Sequence, residues 1–281
     1  MGKLCRPARD RTECPMSKKQ HEIPVFDHPI IETHCHLDYL EGEALDQVIA
    51  DAAAVNVEKI VTIAVSPSNL ARVRELTEHP MIWGTQGVHP HDAELFTEAT
   101  AAELLRHGRD AKIVAIGEIG LDYHYDHADR AIQRAVFERQ LAIAVELDQP
   151  IVVHTRDADD DTRAILQNFS SQLKGKGVIH SFTSGLALGE YCLAEGFMLG
   201  FNGIITFNKA ENVREVLAAT PMSGFVVETD APYLTPIPYR GRPNQPKYLP
   251  FIIQKIAEVK AVSVEEVLEQ SYQNANRLFS W

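Results

Sequence analysis

The sequence lacks long hydrophobic runs. None of its apolar segments approaches the roughly 20 residues that a membrane-spanning helix needs. Cysteine is also scarce, and the four cysteines show neither a CxxC metal-binding spacing nor a dense disulfide pattern (Cys5, Cys14, Cys35 and Cys192). We therefore expect no membrane segment, reduced thiols and a cytoplasmic setting.

Positive charge is in short supply as well. The 281 residues include 27 Lys and Arg against 39 Asp and Glu, for a formal net charge of −12. This balance argues against a protein that coats nucleic acid through bulk electrostatics, but not against an enzyme whose bound metal ions carry the local positive charge. Residues 1–22 differ, since they are basic and lack the apolar core of a secretory signal. We expect a disordered tail there, or sequence upstream of a start at Met16; a nucleic-acid-binding arm is the less favoured reading.

From residue 30 onward, short apolar strands alternate with helical segments. Strands are predicted at 30–35, 59–65, 81–88, 113–118, 150–154, 177–182, 197–203 and 224–229. Helices are predicted near 43–54, 67–78, 97–108, 128–147, 159–173, 185–195, 209–219 and 246–278, the last one breaking around Ala261–Ser263, where Ser263 and Glu266 form a capping box. Eight strand–helix units predict an α/β fold, a (β/α)8 TIM barrel.

A doubly wound open sheet is the alternative fold. It loses support because no GxGxxG motif follows the first strand. No Gly/Ser/Pro-rich linker divides the chain, so residues 23–281 are expected to form one domain. The long irregular segment 231–246 contains five prolines and follows the last strand, where barrel enzymes place substrate loops.

Histidine and carboxylate side chains recur at the ends of the predicted strands. His34 and His36 are two residues apart, so in a strand their imidazoles share one face. The full set is His34, His36, His89, Glu118, His154, His180 and Asp230. Strand ends of a barrel converge at one mouth. Each residue alone has an ordinary structural explanation, but their joint placement predicts a metal site.

Four of these imidazoles and the two carboxylates are too many ligands for a single tetrahedral zinc ion. They suit two divalent cations (Mg, Mn or Zn) that share a bridging carboxylate and activate a water for hydrolysis.

At these residues the sequence closely resembles the TatD family of metal-dependent deoxyribonucleases, within the amidohydrolase-like barrels. The matching stretches extend from about residue 30 to the end: ETHCHLD, GVHPH, IGEIGLDY, QLAIAVELDQPIVVHTRDA, GVIHSFTSG, NGIITF, VVETDAPYLTP and RGRPNQPKYL. The resemblance implies that His34, His36, Glu118 and Asp230 hold one metal ion, and that Glu118, His154 and His180 hold the other, with Glu118 bridging. It also implies that Asp230 accepts a proton from the attacking water.

Two positions depart from the family pattern. Glu32 stands where the family usually has Asp, and Arg242 matches only part of a basic pair. We assign His89, Arg156 and Arg242 to substrate binding. Arg156, two residues after His154, could clamp a phosphate or instead pair with Asp157 or Asp159.

Three functions remain open at this point. The first is a phosphodiesterase that cleaves DNA, with single-stranded ends preferred. The second is a binuclear metal hydrolase of a small phosphoester, ester or amide, because fold and metals do not set the substrate. The third, a non-catalytic metal-binding protein, is disfavoured by the full ligand set.

Overall fold

A computed structural model describes residues 21–40, 45–279 and 281. The strands are β1 (Ile30–Cys35), β2 (Val57–Thr62), β3 (Ile82–Gln86), β4 (Ile113–Asp122), β5 (Ile151–Arg156), β6 (Gly177–Ile179), β7 (Met198–Phe201) and β8 (Phe225–Val227). The helices are α1 (Leu45–Ala53), α2 (Leu70–Leu76), α3 (Glu98–His107), α4 (Arg130–Leu147), α5 (Asp159–Phe169), α6 (Leu186–Ala194), α7 (Glu211–Ala219), α8 (Leu249–Lys260) and α9 (Val264–Leu278). Except for His21 and Glu22, the expected basic tail lies outside the described residues.

The eight strands form one parallel sheet in chain order, from β1 to β8. Each neighbouring pair is parallel, as a chain of right-handed strand–helix units requires. The chain is a single α/β domain with TIM-barrel architecture, which confirms the predicted fold and excludes the doubly wound alternative. Within the described residues, no helix combines the length and apolarity needed to cross a bilayer.

Hydrogen bonds between β1 and the end of β8 close the barrel. The amide of Asp230 donates to the carbonyl of His34 at 2.9 Å, and the amide of His36 donates to the carbonyl of Ala231 at 2.7 Å. Below them, the Glu32 carboxylate accepts hydrogen bonds from the amide and hydroxyl of Thr229 at 2.9 and 2.6 Å. Glu32 therefore joins β1 to the end of β8, which is the seam of the barrel, at a position two residues before His34. This seam also sets the backbone positions of His34, His36 and Asp230.

The barrel interior is apolar at one end and polar at the other. Side chains of alternate strand residues point inward. A small interior cluster includes Val152, Val178 and Val226, and Phe279 packs with it. Two residues further along these strands, the same alternation brings His154, His180 and Glu228 to the other end. The apolar filling thus supports a polar layer at the carboxyl ends of the strands.

The carboxyl-terminal helical region divides where the sequence predicts. Helix α8 ends at Lys260, and the next residue, Ala261, adopts a left-handed conformation with φ of 53°. The Ser263 hydroxyl then caps α9 by accepting a hydrogen bond from the Glu266 amide at 3.1 Å. Half of the predicted capping box is present, because no reciprocal bond from the Glu266 side chain is formed.

Candidate metal centre

Glu118 lies at the centre of the polar layer. Its Oε2 faces His34 Nε2 at 3.5 Å. Its Oε1 faces His180 Nε2 at 3.0 Å and His154 Nδ1 at 3.1 Å. On the side of Glu118 that faces His34, Asp230 Oδ1 lies 3.5 Å from His36 Nε2 and 3.8 Å from His34 Nε2. The two oxygens of one carboxylate therefore face two different groups of imidazoles.

These groups fit divalent cations. Ligand atoms on a tetrahedral zinc ion are about 3.3 Å apart, since each lies about 2 Å from the metal. The donor atoms above are separated by similar distances, and three sets of them lie close enough to share an ion: His34–His36–Asp230, His34–Glu118–His180 and His89–Glu118–His154. Both ring nitrogens of His34 are buried without a hydrogen-bond partner. Because such groups are costly to bury unpaired, a cation held at this site would supply the missing partner of Nε2.

Two of the histidines are oriented by a second carboxylate. His154 places Nε2 2.9 Å from Asp122 Oδ2, and His180 places Nδ1 3.3 Å from Glu228 Oε1. When these nitrogens donate to the carboxylates, His154 Nδ1 and His180 Nε2 present lone pairs toward Glu118. Metal-binding histidines commonly have this arrangement, which fixes the tautomer and the ring orientation.

Glu228 depends in turn on its neighbours. Its Oε1 accepts a hydrogen bond from the Ser181 amide at 2.7 Å. The facing residue on β7 is Gly200, where an added Cβ would lie 2.5 Å from Glu228 Oε2. A glycine is required here because any larger side chain would displace the carboxylate that orients His180.

Three candidate ligands have pKa shifts that suit the binding of a cation, whereas burial is outweighed by the facing carboxylates and the pKa is raised at the other three: His36, His154 and His180. Burial raises the pKa of Glu118, but the surrounding histidines outweigh burial and hold that pKa well below its usual value. Burial also raises the pKa of Asp230, but hydrogen bonding to His36 and the charges of the neighbouring histidines outweigh burial and lower that pKa. Both groups are therefore carboxylates near neutral pH. For His34, burial dominates and lowers the pKa, so its imidazole is neutral.

His89 differs from the other histidines in its tautomer. Its Nδ1 accepts a hydrogen bond from the His91 amide at 3.1 Å, and burial lowers the pKa of His89 well below its usual value. The neutral ring therefore carries its proton on Nε2, which lies 3.6 Å from Glu118 Oε1. A protonated nitrogen donates a hydrogen bond and cannot bind a cation. This tautomer suits a substrate contact better than metal ligation.

The polar layer forms the floor of an open cavity of about 670 Å³. Its lining includes His89 and Arg156, which the sequence assigns to substrate, together with Glu118, His154, His180 and Asp230. Arg156 is exposed, and its guanidinium packs over the ring of Tyr125 at 5.4 Å. It does not form the ion pairs considered above, because Asp157 pairs with His124 and Asp159 accepts from Ser184.

Arg242 is not brought to the cavity with the other residues. Its guanidinium packs over the ring of Tyr239 at 5.1 Å, and it is absent from the cavity lining. Asn244, on the same loop, is buried and donates both amide hydrogens to the carbonyls of Thr229 and Tyr233. This part of the proline-rich loop is therefore engaged in internal contacts.

Asp122 and His91 belong to the site but are absent from the sequence prediction. Asp122 Oδ2 lies between His154 and His91, with His91 Nε2 at 3.0 Å. The sequence places the end of β4 at Glu118, whereas the strand continues to Asp122. A usable signal was present, because Asp122 is four residues beyond Glu118 and so faces the same side of a continued strand.

Comparisons with known proteins find similar sequences over most of the chain. A family model described as "TatD related DNase" matches residues 31–280. The uncharacterized metal-dependent hydrolase YabD of Bacillus subtilis (strain 168) is 37% identical over 252 residues, or 89% of this chain and 98% of that protein. The 3'-5' ssDNA/RNA exonuclease TatD of Erwinia tasmaniensis is 38% identical over 209 residues, or 72% of this chain and 80% of that protein.

A solved structure shares the fold over nearly the same range. The crystal structure of YJJV, a TatD homologue from Escherichia coli K12, is 30% identical and superposes with a TM-score of 0.85. The match covers 90% of this chain and 98% of that chain. The barrel is thus shared with a relative of known structure.

Proposed function

The chain belongs to the TatD-related DNase family of metal-dependent hydrolases, and from this premise we propose that it hydrolyses phosphodiester bonds of DNA, acting on accessible single-stranded ends with two divalent cations. The observation that carries the proposal is the placement of Glu118. Its two carboxylate oxygens face separate groups of imidazoles, at 3.5 Å on one side and 3.0 Å on the other. A carboxylate in this position is suited to bridge two cations.

One cation is assigned to His34, His36, Glu118 and Asp230, and the other to Glu118, His154 and His180. When bound, two such cations supply a nucleophilic water near neutral pH and stabilise charge on the phosphoryl group. Mg, Mn and Zn are the candidate cations.

The remaining steps belong to the protein's own side chains. Asp230 Oδ1 faces His34 and His36, which leaves Oδ2 to accept the proton of the attacking water. His89 donates from Nε2 to a phosphate oxygen. Arg156 neutralises a second phosphate oxygen from the rim of the cavity. Arg242, which lies outside the cavity lining, would act only on a more distant phosphate.

The relatives support the substrate class to different degrees. The relative named an exonuclease of single-stranded DNA and RNA supports a nucleic-acid strand. YabD carries only the name of a metal-dependent hydrolase. A cytoplasmic setting is supported by Cys35 and Cys192, which are buried free thiols.

A small phosphoester, ester or amide is the second candidate substrate. It is favoured by the groove that adjoins the cavity, whose lining includes Asp157, Asp159, Asp160 and Asp161. Four carboxylates beside the mouth oppose the approach of a long polyanion.

A panel of substrates separates the two candidates. Protein reconstituted with Mg, Mn or Zn should shorten an end-labelled single-stranded oligonucleotide, and Glu118→Gln should abolish this activity. RNA, a phosphodiester dye and a lactone are tested beside it. Hydrolysis of the lactone, with no shortening of the oligonucleotide under any metal, would overturn the DNA proposal in favour of a small substrate.

A further inference from the structure

Three exposed tyrosines surround the mouth of the cavity. Tyr39, Tyr125 and Tyr233 are 39%, 54% and 53% exposed, and all three line it. Among the described residues, large apolar or aromatic side chains with this degree of exposure are few. Exposed aromatic surface gathered at one place marks a binding site more often than an accident of packing.

The tyrosines come from different parts of the barrel. Tyr39 follows β1, Tyr125 follows β4 and Tyr233 follows β8. Each lies in the connection that follows the carboxyl end of its strand. Three loops that are far apart in the sequence thus each contribute a tyrosine to the rim of the cavity.

On one side, two of the rings pack against a candidate metal ligand. Tyr39 stacks on His36 with ring centroids 5.4 Å apart and planes at 18°, and Tyr233 meets the same imidazole at 6.2 Å with its plane at 66°. On the other side, Tyr125 packs against His91 at 5.5 Å and lies beneath the Arg156 guanidinium. The cavity with Glu118 on its floor lies between these two positions.

Hydrogen bonding does not account for these tyrosines. The hydroxyls of Tyr123 and Tyr272 bond to Asp161 and Glu58. In contrast, the hydroxyls of the three rim tyrosines have no hydrogen-bond partner within the part of the chain that the structure describes. Their rings are therefore the feature available to a ligand.

The charge of the neighbouring groove limits where a polyanion can lie. That groove shares Arg156 and Leu234 with the cavity, and its wall carries Asp157, Asp159, Asp160 and Asp161. A phosphate chain would be repelled by these carboxylates and attracted by Arg156, which favours a path on the tyrosine side of the cavity.

We infer that these three tyrosines are stacking platforms for unpaired nucleobases, an inference that rests on the function proposed above. Tyr39 and Tyr233 hold a base on one side of the cleaved phosphate, and Tyr125 holds a base on the other side. Stacking requires the bases to be splayed from their partners, which selects a single strand over a duplex. It is tolerant of base identity, because every base has a flat aromatic face.

Binding to metal-free protein tests the platforms without hydrolysis. Fluorescence anisotropy compares a labelled ten-residue oligothymidylate with an oligomer of ten abasic tetrahydrofuran units, which has the same charge but no bases. The wild-type protein should prefer the thymidylate by about 5- to 150-fold for each base stacked. Tyr125→Ala and the double variant Tyr39→Ala/Tyr233→Ala should each reduce this preference, whereas the matching Phe variants should retain it.

Kinetics of the metal-loaded enzyme provide the second measurement. The substrates are thymidine 5'-p-nitrophenyl phosphate and methyl p-nitrophenyl phosphate, of which only the first carries a base. The Ala variants should raise KM for the first substrate relative to KM for the second, whereas the Phe variants should keep the wild-type ratio of the two KM values. Tyr272→Ala, on the outer surface, is the control, and metal content must equal that of the wild type.

The outcomes separate this inference from the proposed function. Oligonucleotide shortening by the wild type, with the same base preference in the Ala variants, would overturn the platforms and leave the nuclease proposal intact. Absence of shortening, with the base preference present in the wild type and lost in the Ala variants, would support the platforms and contradict the nuclease. A loss of metal from Tyr39→Ala/Tyr233→Ala that the Phe variants share would assign these rings a structural role instead.

Discussion

At the scale of the residue, Arg156 is the side chain that we propose binds a phosphate of the substrate. The exposed guanidinium packs on Tyr125 while the adjacent carboxylates bind other partners. A hydrogen bond between charged groups contributes about 1.5–3 kcal/mol, so Arg156→Ala should lower kcat/KM for an oligonucleotide roughly 10- to 100-fold.

The control for this prediction is Arg163→Ala. Arg163 lies on α5, packs over Tyr191 at 4.9 Å and is not part of the cavity lining. Both variants should keep the metal content of the wild type by elemental analysis. Equal turnover by the two variants would show that Arg156 does not contact the substrate.

We expect Asp122 to act through His154, because Asp122 is buried and is absent from the cavity lining. In Asp122→Asn, a side-chain amide that faces His154 Nε2 places two donors against each other. The ring is then driven to the tautomer with its proton on Nδ1, the atom that faces Glu118. We expect affinity for one of the two cations to fall about 10- to 100-fold, as is typical when such a partner carboxylate is lost.

Titration with a competing chelator dye measures this change. The tight-binding stoichiometry should fall from two to one, and Glu228→Gln should act in the same way through His180. Retention of two tight sites in Asp122→Asn would remove Asp122 from the centre. Thermal melting of the metal-free variants shows whether the barrel itself is intact.

At the scale of the element, α9 offers a direct test of capping. The Ser263 hydroxyl accepts from the Glu266 amide, while no bond returns from the Glu266 side chain. Ser263→Ala should cost about 1 kcal/mol of the free energy of unfolding, and Glu266→Ala should cost much less. Denaturant unfolding followed by circular dichroism measures both; equal costs would mean that the cap is not what stabilises the start of α9.

Strand ends explain how far the sequence could predict the site. His154 and His180 were identifiable because a polar residue interrupts an apolar run where a strand must end. Asp122 was missed because Gly120 resembles the start of a loop. In the structure Gly120 has φ of 139°, and a Cβ there would lie 1.9 Å from the His154 carbonyl oxygen. This glycine lets β4 continue close to β5, a requirement that arises from packing between strands.

Tertiary contacts also decided the position of Arg242. The sequence places it on a loop beside the mouth, which is correct, but local pattern cannot tell which side of the loop faces the cavity. Burial of Asn244 and packing on Tyr239 settle that orientation. The order of strands and helices, in contrast, follows from short-range periodicity and was predictable throughout the barrel.

At the scale of the whole molecule, the polar mouth links metal binding to stability. The folded barrel gathers the candidate ligands, which the unfolded chain holds apart, so cations should bind mainly to the folded state. At a free concentration 100-fold above Kd, each site should raise the free energy of unfolding by about 2.7 kcal/mol. Calorimetry with Zn or Mn, against a sample with a chelator, measures the shift in melting temperature.

Stoichiometry completes that test. Elemental analysis of the reconstituted protein should give two ions per chain, and Glu118→Gln should weaken both sites because Glu118 faces both groups of imidazoles. A wild-type stoichiometry that never exceeds one would contradict the binuclear assignment.

The overall charge sets how a nucleic-acid strand can be held. With a net charge of −12 and the acidic start of α5 beside the mouth, we expect the proposed substrate to be held by only two or three of its phosphates. That number implies a slope of roughly −1.5 to −2 for the logarithm of the binding constant against the logarithm of salt concentration on a single strand.

Asp160→Asn removes one exposed charge from the groove wall and should tighten oligonucleotide binding at low salt. The gain should vanish near 1 M salt, where the Debye length is about 3 Å. Glu265→Gln, at the exposed start of α9, changes the net charge equally and should leave binding unaltered. If the two variants bind equally at every salt concentration, bulk charge and not the acidic groove governs the approach of the strand.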